Sequence, residues 1–350
     1  MSSVSRSLRR PLAAVACLAL AGALAACGTS SSDTASSGGP SDGVLDVAAS
    51  FYPIQYLVEA IGGENVNVTS VTPTNVEPHD FELAPADVSA LEKADLVAYA
   101  SGFQASLDEA LRQIDGPTVL DLAGSVDLVH HEDADHDHDH EADHDHDATH
   151  EADHDHDATH EADHDHDATH EADHDHDHAD EADPHFWLDP NRMVQAANAI
   201  EAALEKADPD NASAYQSRLS ELVNTLKGID EDYSSGLATC ERTTFVTSHA
   251  AFGYLADRYH LTQVSVSGID PDSEPSPAEL AAVKQVVEET GTTTIFTEEL
   301  VSAETAQALA AETGATTAVL SPMESRPEAG DYAAGMNANL EALRTALACK

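Results

Sequence analysis

The residues best placed to do chemistry are three histidines far apart along the chain. They lie in Glu77-Pro78-His79-Asp80-Phe81-Glu82, Pro184-His185-Phe186-Trp187 and Ser248-His249-Ala250-Ala251-Phe252. Each sits beside an aromatic residue at the boundary of a strand-like or helix-like run. Neutral imidazole suits zinc, copper, nickel and iron, whereas magnesium and calcium want oxygen ligands. One such histidine at a loop end would more often be structural. Three of them, in a chain that carries a histidine-rich stretch as well, point to ligands of one metal ion, with zinc the best match.

Three imidazoles leave one position of zinc's tetrahedron to fill. Glu324, in Leu320-Ser321-Pro322-Met323-Glu324, follows its strand-like run much as His249 follows its own, and is the first choice. Glu298, after Ile295-Phe296-Thr297, is second, Glu77 is third, and water remains a candidate. His260, after Tyr259 at a helix end, reads as a surface residue where positive charge is favourable. The sequence contains no His-Glu-x-x-His, no Gly-x-Ser-x-Gly and no nucleophilic Cys-His pair, and nothing marks Asp80 or Glu82 as a base. The chain therefore reads as a binding protein rather than an enzyme, with a secreted zinc hydrolase as the distant alternative.

The elements that must position these residues alternate between strand and helix. In the first half, strand-like runs at Val44–Ser50, Val66–Val71, Asp95–Ala100 and Pro117–Leu122 are separated by helical runs at Tyr52–Ile61, Pro85–Ala94 and Gln104–Ile114. The second half repeats the pattern, with strands at Thr243–Thr247, Gln263–Val266, Thr293–Phe296 and Thr317–Leu320. Helices are expected there at Ala250–Tyr259, Ser276–Glu289, Ala303–Glu312 and Tyr332–Leu347. Such alternation implies mostly parallel sheets covered on both faces, and His79 and His249 then stand at carboxyl ends of strands, where open α/β sheets hold ligands. Between the halves, Asp189 as N-cap and Pro190 at the first turn open a helix to about Lys206. Tyr215, Leu219, Leu222, Val223 and Leu226 define a second helix from Ala212. The expectation is an α/β fold of two lobes: residues 44–189, linking helices over 190–236, and residues 237–350.

A disordered insert is expected over 130–183. From His140 it repeats His-Glu-Ala-Asp-His-Asp-His-Asp-Ala-Thr, restarting at His150, His160 and His170. Seventeen of the 21 histidines fall in it: His130, His131, His136, His138, His140, His144, His146, His150, His154, His156, His160, His164, His166, His170, His174, His176 and His178. With no large apolar residue the stretch cannot offset its ordering entropy. It reads as a weak metal-capture loop, a sensor or buffer, or solvated sequence without a selected role. The net charge of −50 is concentrated there: residues 130–184 hold 24 Asp and Glu and no Lys or Arg. The remainder is still acidic, which argues against nucleic acid as a partner.

Residues 1–26 read as a signal peptide, with Arg6, Arg9 and Arg10 ahead of the apolar run Pro11–Ala23. Leu24-Ala25-Ala26-Cys27-Gly28 resembles a bacterial lipobox, which would make Cys27 the lipidated first residue of the mature chain. Residues 27–43 follow as a flexible tether, so the expected location is the extracytoplasmic face of the cell membrane. Cys240 and Cys349 remain as an even pair in an oxidising compartment, and a disulfide between them is expected.

Taken in order around the acidic insert, the three histidine motifs resemble those of the zinc-specific solute-binding lipoproteins of ABC importers, the ZnuA-like, cluster A-I family. The resemblance runs from about Val44 to Leu347. It implies two lobes with four-stranded parallel sheets, a rigid bridging helix and a metal site in the inter-lobe cleft. It also implies delivery of Zn2+ to a permease powered by a cytoplasmic ATPase, by a protein expected to be a monomer. Ligand roles carry over to His79, His185 and His249. Manganese-type relatives have a carboxylate at the third position, so His249 favours zinc. Some members take a fourth ligand from a Glu after a Pro-Leu pair, where this chain has Pro322-Met323-Glu324. The alternatives are a manganese- or iron-binding protein, or an adhesin, on the same fold. Deleting residues 130–178 is expected to remove several weak sites and leave one tight one. Calorimetric titration of the shortened chain checks this, and loss of the tight site would contradict it.

Overall fold

In the computed structural model, residues 43–131 and 182–350 are described. Cys27, the signal and tether, and the insert histidines from His136 to His178 lie outside them. The first sheet comprises β1 (Leu45–Ala49), β2 (Val66–Ser70), β3 (Leu96–Tyr99) and β4 (Thr118–Asp121). The second comprises β5 (Thr244–Thr247), β6 (Thr262–Ser265), β7 (Thr294–Thr297) and β8 (Thr316–Val319). Strand orders are β2-β1-β3-β4 and β6-β5-β7-β8, with every pairing parallel. Both sheets thus reverse strand order beside a central strand, and crevices at carboxyl strand ends open at such switch points. The central strands are correspondingly apolar and buried: Val47 and Ala49 in β1, Phe245 and Val246 in β5.

Helices cover the sheets. They are α1 (Tyr52–Gly62), α2 (Pro85–Leu91) and α3 (Ala105–Gln113) in the first lobe, with α6 (Gly253–Tyr259), α7 (Pro277–Thr290), α8 (Glu304–Thr313) and α9 (Tyr332–Leu347) in the second. In α1, Ile54, Leu57, Val58 and Ile61 recur at helical spacing and are fully buried. The helix stops at Gly63, whose φ of 56° lies in the left-handed region. A Cβ on Gly63 would stand 2.6 Å from the Arg218 guanidinium, which needs that space to donate to the Gly62 carbonyl at 2.9 Å.

Two helices join the lobes: α4 (Pro190–Ala207) and α5 (Ala212–Gly236). Asp189 caps α4 by accepting from the Asn191 N–H at 2.8 Å, with Pro190 in the first turn. α5 runs well past Leu226, where the heptad-like apolar pattern thins, because Ile229 and Tyr233 carry its buried stripe onward. The Tyr233 hydroxyl donates to the Met336 carbonyl of α9 at 2.7 Å. α6 begins at Gly253 rather than Ala250, because Ser248–Phe252 is spent turning His249 into the cleft. The apolar core is continuous from Ile54 and Leu57 through Met193, Ile200 and Leu226 to Leu340 and Leu343, so both lobes grip the same helices.

Trp187 closes the core under the cleft. It is fully buried, its indole N–H donates to the Pro322 carbonyl at 2.7 Å, and its own carbonyl accepts from the Tyr332 hydroxyl. Phe51 and Phe103 of the first lobe pack against it, with ring centroids 4.7 and 5.1 Å away. Cys240 and Cys349 form a disulfide. Among the described residues no helix is long and apolar enough to cross a membrane. Replacing Trp187 by Ala should cost about 3–5 kcal/mol, read as a lowered midpoint in denaturant titrations followed by circular dichroism.

Candidate metal centre

His79, His185, His249 and Glu324 bring one donor atom each into a group whose members all lie within 4.8 Å of one another. The loop after β2 supplies His79, and the turn before α4 supplies His185. His249 follows β5, and Glu324 follows β8. Met323, buried with φ at 61°, reverses the chain just before Glu324 and turns that carboxylate inward.

The distances fit a small tetrahedral ion. His185 Nε2 is 3.2 Å from His79 Nε2 and 3.4 Å from His249 Nε2. Glu324 Oε1 is 3.6 Å from His185 Nε2 and 3.7 Å from His249 Nε2. A tetrahedron with ligand bonds of about 2.0–2.1 Å has edges of about 3.3–3.4 Å, and these four of the six donor separations lie close to that. Calcium's longer bonds and oxygen preference match neither the edges nor the donors. His185, His249 and Glu324 are buried, and Glu324 Oε1 has no hydrogen-bond partner among the described residues. An orphaned carboxylate oxygen beside imidazole nitrogens is costly in a dry site and calls for a cation.

Each imidazole has a carboxylate behind it. Glu77 Oε1 is 2.5 Å from His79 Nδ1, and Asp183 Oδ1 is 2.7 Å from His185 Nδ1. Glu298 Oε2 is 2.7 Å from His249 Nδ1, off the axis of a well-aligned hydrogen bond, while Glu298 Oε1 accepts from the His249 backbone N–H at 3.2 Å. With Nδ1 carrying the proton toward a carboxylate, the Nε2 lone pair faces the shared centre. Glu77 and Glu298, the alternative fourth donors, thus stand on the outer side of the rings. Phe103, 4.7 Å from the His79 ring, and Trp187, 5.1 Å from that of His185, wall the site with apolar surface.

The electrostatics follow from burial against charge. Burial alone would push the His185 imidazole down, but the Asp183 carboxylate, aided by Glu324, overrides it and raises the value to about 9. Burial raises the Asp183 carboxyl, and the charge of His185 with the bonds from His131 and His185 more than reverses this, to about 2. Glu324 likewise falls below its ordinary range, burial being outweighed by His185 and its fellow imidazoles. Because the His185 value is raised, its contribution to the metal-free fold is full below about pH 6.5 and disappears as pH rises through about 9. That of Asp183 is present above its ordinary 3.8 and is lost as pH falls through about 2.

Asp183 is the residue that sequence reasoning passed over, since it was counted among the insert's acids. The signal was present in the chain: Glu77-Pro78-His79 and Asp183-Pro184-His185 share an acidic-Pro-His order. His131, grouped by sequence with the capture histidines, lies between Asp183 and Asp257. His260 ends α6 as an exposed left-handed C-cap.

Two parallel α/β lobes with a closed cluster of three imidazoles and one carboxylate in the crevice make up the architecture of a bilobed solute-binding protein. The family described as zinc-uptake complex component A, periplasmic (ZnuA), matches residues 47–346, and the chain belongs to it. The high-affinity zinc uptake system protein ZnuA of Bacillus subtilis is 33% identical over 337 residues, covering 93% of this chain and 94% of that protein. The zinc-binding protein AdcA of Streptococcus pyogenes is 32% identical over 318 residues, 87% of this chain. The chain spans only 56% of the length of that relative. The solved structure of the laminin-binding protein Lmb of Streptococcus agalactiae superposes with a TM-score of 0.70 at 27% identity, covering 87% of this chain and 99% of that one.

A metal ion held by His185 Nε2 would displace the proton that the raised basicity of this ring favours. Metal uptake at pH 7 should therefore release the His185 proton, a contribution that falls away above about pH 9. Calorimetry in buffers of different ionisation enthalpy measures this, and a heat independent of buffer at pH 7 would contradict it.

Proposed function

We infer that the chain captures Zn2+ through His79, His185, His249 and Glu324 and delivers it to the permease of an ABC importer driven by a cytoplasmic ATPase. The observation that carries this is the convergence of donors from four separate loops to within 4.8 Å of one another, the number and type that zinc takes. Relatives named as a zinc-binding protein and as a zinc uptake protein support the same cargo. Manganese is the competing cargo; three imidazoles against one carboxylate favour the borderline zinc over the harder manganese. The reading assigns no catalytic step, because four protein donors complete the tetrahedron and leave no position for a reacting water.

Zinc exchanges its waters for the three Nε2 atoms and Glu324, and the outer carboxylates hold the rings in place while it does so. His79 belongs to the first lobe, and His249 and Glu324 to the second, so occupancy and lobe spacing are linked. Docking on the permease would then weaken binding by spreading the donors rather than by dissolving any one of them. Lipidation at Cys27 would keep the protein at the extracytoplasmic membrane face, and a streptococcal relative named as a zinc-binding lipoprotein supports this.

Competition titration of zinc against manganese at fixed pH is the decisive measurement, with zinc expected to bind the tighter. Trp187, the chain's single tryptophan, has its ring 5.1 Å from that of His185 and reports binding by its fluorescence. His249→Ala should weaken zinc by more than the ~10–100-fold typical of losing an outer partner. Manganese binding tighter than zinc, or His249→Ala with unchanged affinity, would defeat the reading.

A further inference from the structure

Asp183 has two carboxylate oxygens, and only Oδ1 serves His185. It faces the His185 Nδ1 at 2.7 Å and accepts from the His185 backbone N–H at 2.9 Å. Oδ2 lies 2.6 Å from Nδ1 of His131, a residue that the metal centre as described above does not use. The second ring nitrogen of His131, Nε2, is 3.1 Å from Oδ2 of Asp257 on α6. His131 therefore spans from the carboxylate behind a cluster histidine to a helix of the second lobe.

The surroundings are built around that ring. Tyr254 meets it edge-on, with centroids 4.6 Å apart and planes at 88°. The Tyr254 hydroxyl accepts from the Val129 N–H at 2.9 Å and donates to the Asp183 carbonyl at 2.7 Å. The Asp183 N–H donates to the Val129 carbonyl at 2.9 Å. Residue 253 is a glycine where a Cβ would stand 2.6 Å from Cγ and Nδ1 of His131 and 3.0 Å from Asp183 Oδ2. Only a residue without a side chain leaves the ring its place.

We propose that His131 is a positioning residue of the metal centre: it fixes the plane of the Asp183 carboxylate so that Oδ1 aims the His185 ring at the shared donor site. The inference rests on reading His185 as a ligand. A terminal carboxylate torsion is soft and roughly two-fold, and both contacts from His185 fall on Oδ1, so they leave the direction of Oδ2 poorly determined. The Asp183 side chain is fully buried, so an unpaired Oδ2 would carry a desolvation penalty and drive the carboxylate to reorient. The Asp257 side chain, at 72% exposed, is screened, and its bond to His131 adds orientation more than energy.

The test uses the full chain with His131→Phe, His131→Asn and Gly253→Ala, reading zinc affinity by chelator competition and the visible spectrum of the Co2+ form. His131→Phe and Gly253→Ala should weaken zinc about threefold to tenfold, less than the ~10–100-fold for a direct partner, and alter the cobalt bands. His131→Asn, whose amide nitrogen replaces Nδ1 toward Asp183, should return affinity to within about twofold of wild type. Without metal, nitrogen-15 NMR of the imidazoles should show a sharp His185 Nδ1–H signal in wild type and a broadened one in His131→Phe. Lowered thermal stability with wild-type zinc affinity, cobalt bands and His185 signal would overturn this inference alone. A wild-type chain that takes up neither zinc nor cobalt would overturn it together with the reading of the site.

Discussion

The contact between an imidazole Nδ1 and a carboxylate oxygen, made three times over, is the interaction on which the rest depends. It fixes which nitrogen carries the proton and which way the lone pair points. For His79 and His185 the partner lies two residues earlier, so ring and carboxylate sit on one rigid turn with a proline between them. For His249 the partner is Glu298 at the end of β7. That contact exists only because β7 lies beside β5 in the second sheet, where Val246 pairs with Ile295. The topology of the sheet thus reaches the metal centre through one glutamate.

Four carboxylates around three imidazoles, mostly cut off from water, form a hole for positive charge. Asp183, Glu298 and Glu324 are buried and Glu77 is partly so. Such a cluster favours a cation at its centre, and it is this negative surround that raises the basicity of His185. The raised basicity of His185 and the lowered value of Glu324 are two views of that demand. Phe103 and Trp187 keep water out, which strengthens every charge interaction inside. The same aromatic residues belong to the core that joins the lobes, so shielding the site and fastening the molecule are one piece of packing.

Much of this was legible in the chain. Strand and helix alternation gave the two sheets because apolar β-branched runs alternate with capped helical ones. His79, His249 and Glu324 could be picked out because each follows a strand, and His185 because it stands beside an aromatic pair just before a capped helix. The geometry behind the rings was not legible. A glutamate after a strand can face the centre or stand behind a neighbour, and periodicity does not separate the two, as Glu298 shows. Asp183 was hidden by the acidic stretch before it, since composition drowned the significance of its spacing from His185. Past Leu226 the apolar pattern of α5 is interrupted by Gly228 and the acidic residues after it, yet Ile229 and Tyr233 are buried and the helix runs to Gly236, the expected end of the linking helices.

The pairing of Val129 with Asp183 has a bearing on how this sequence can change over generations. The described residues on either side of the histidine repeat are tied to each other, with the Asp183 N–H on the Val129 carbonyl at 2.9 Å. The ten-residue copies of the histidine repeat lie in sequence between those two residues, whose direct bond does not depend on how many copies separate them. Copy number is thereby uncoupled from the contact that seats Asp183 behind His185.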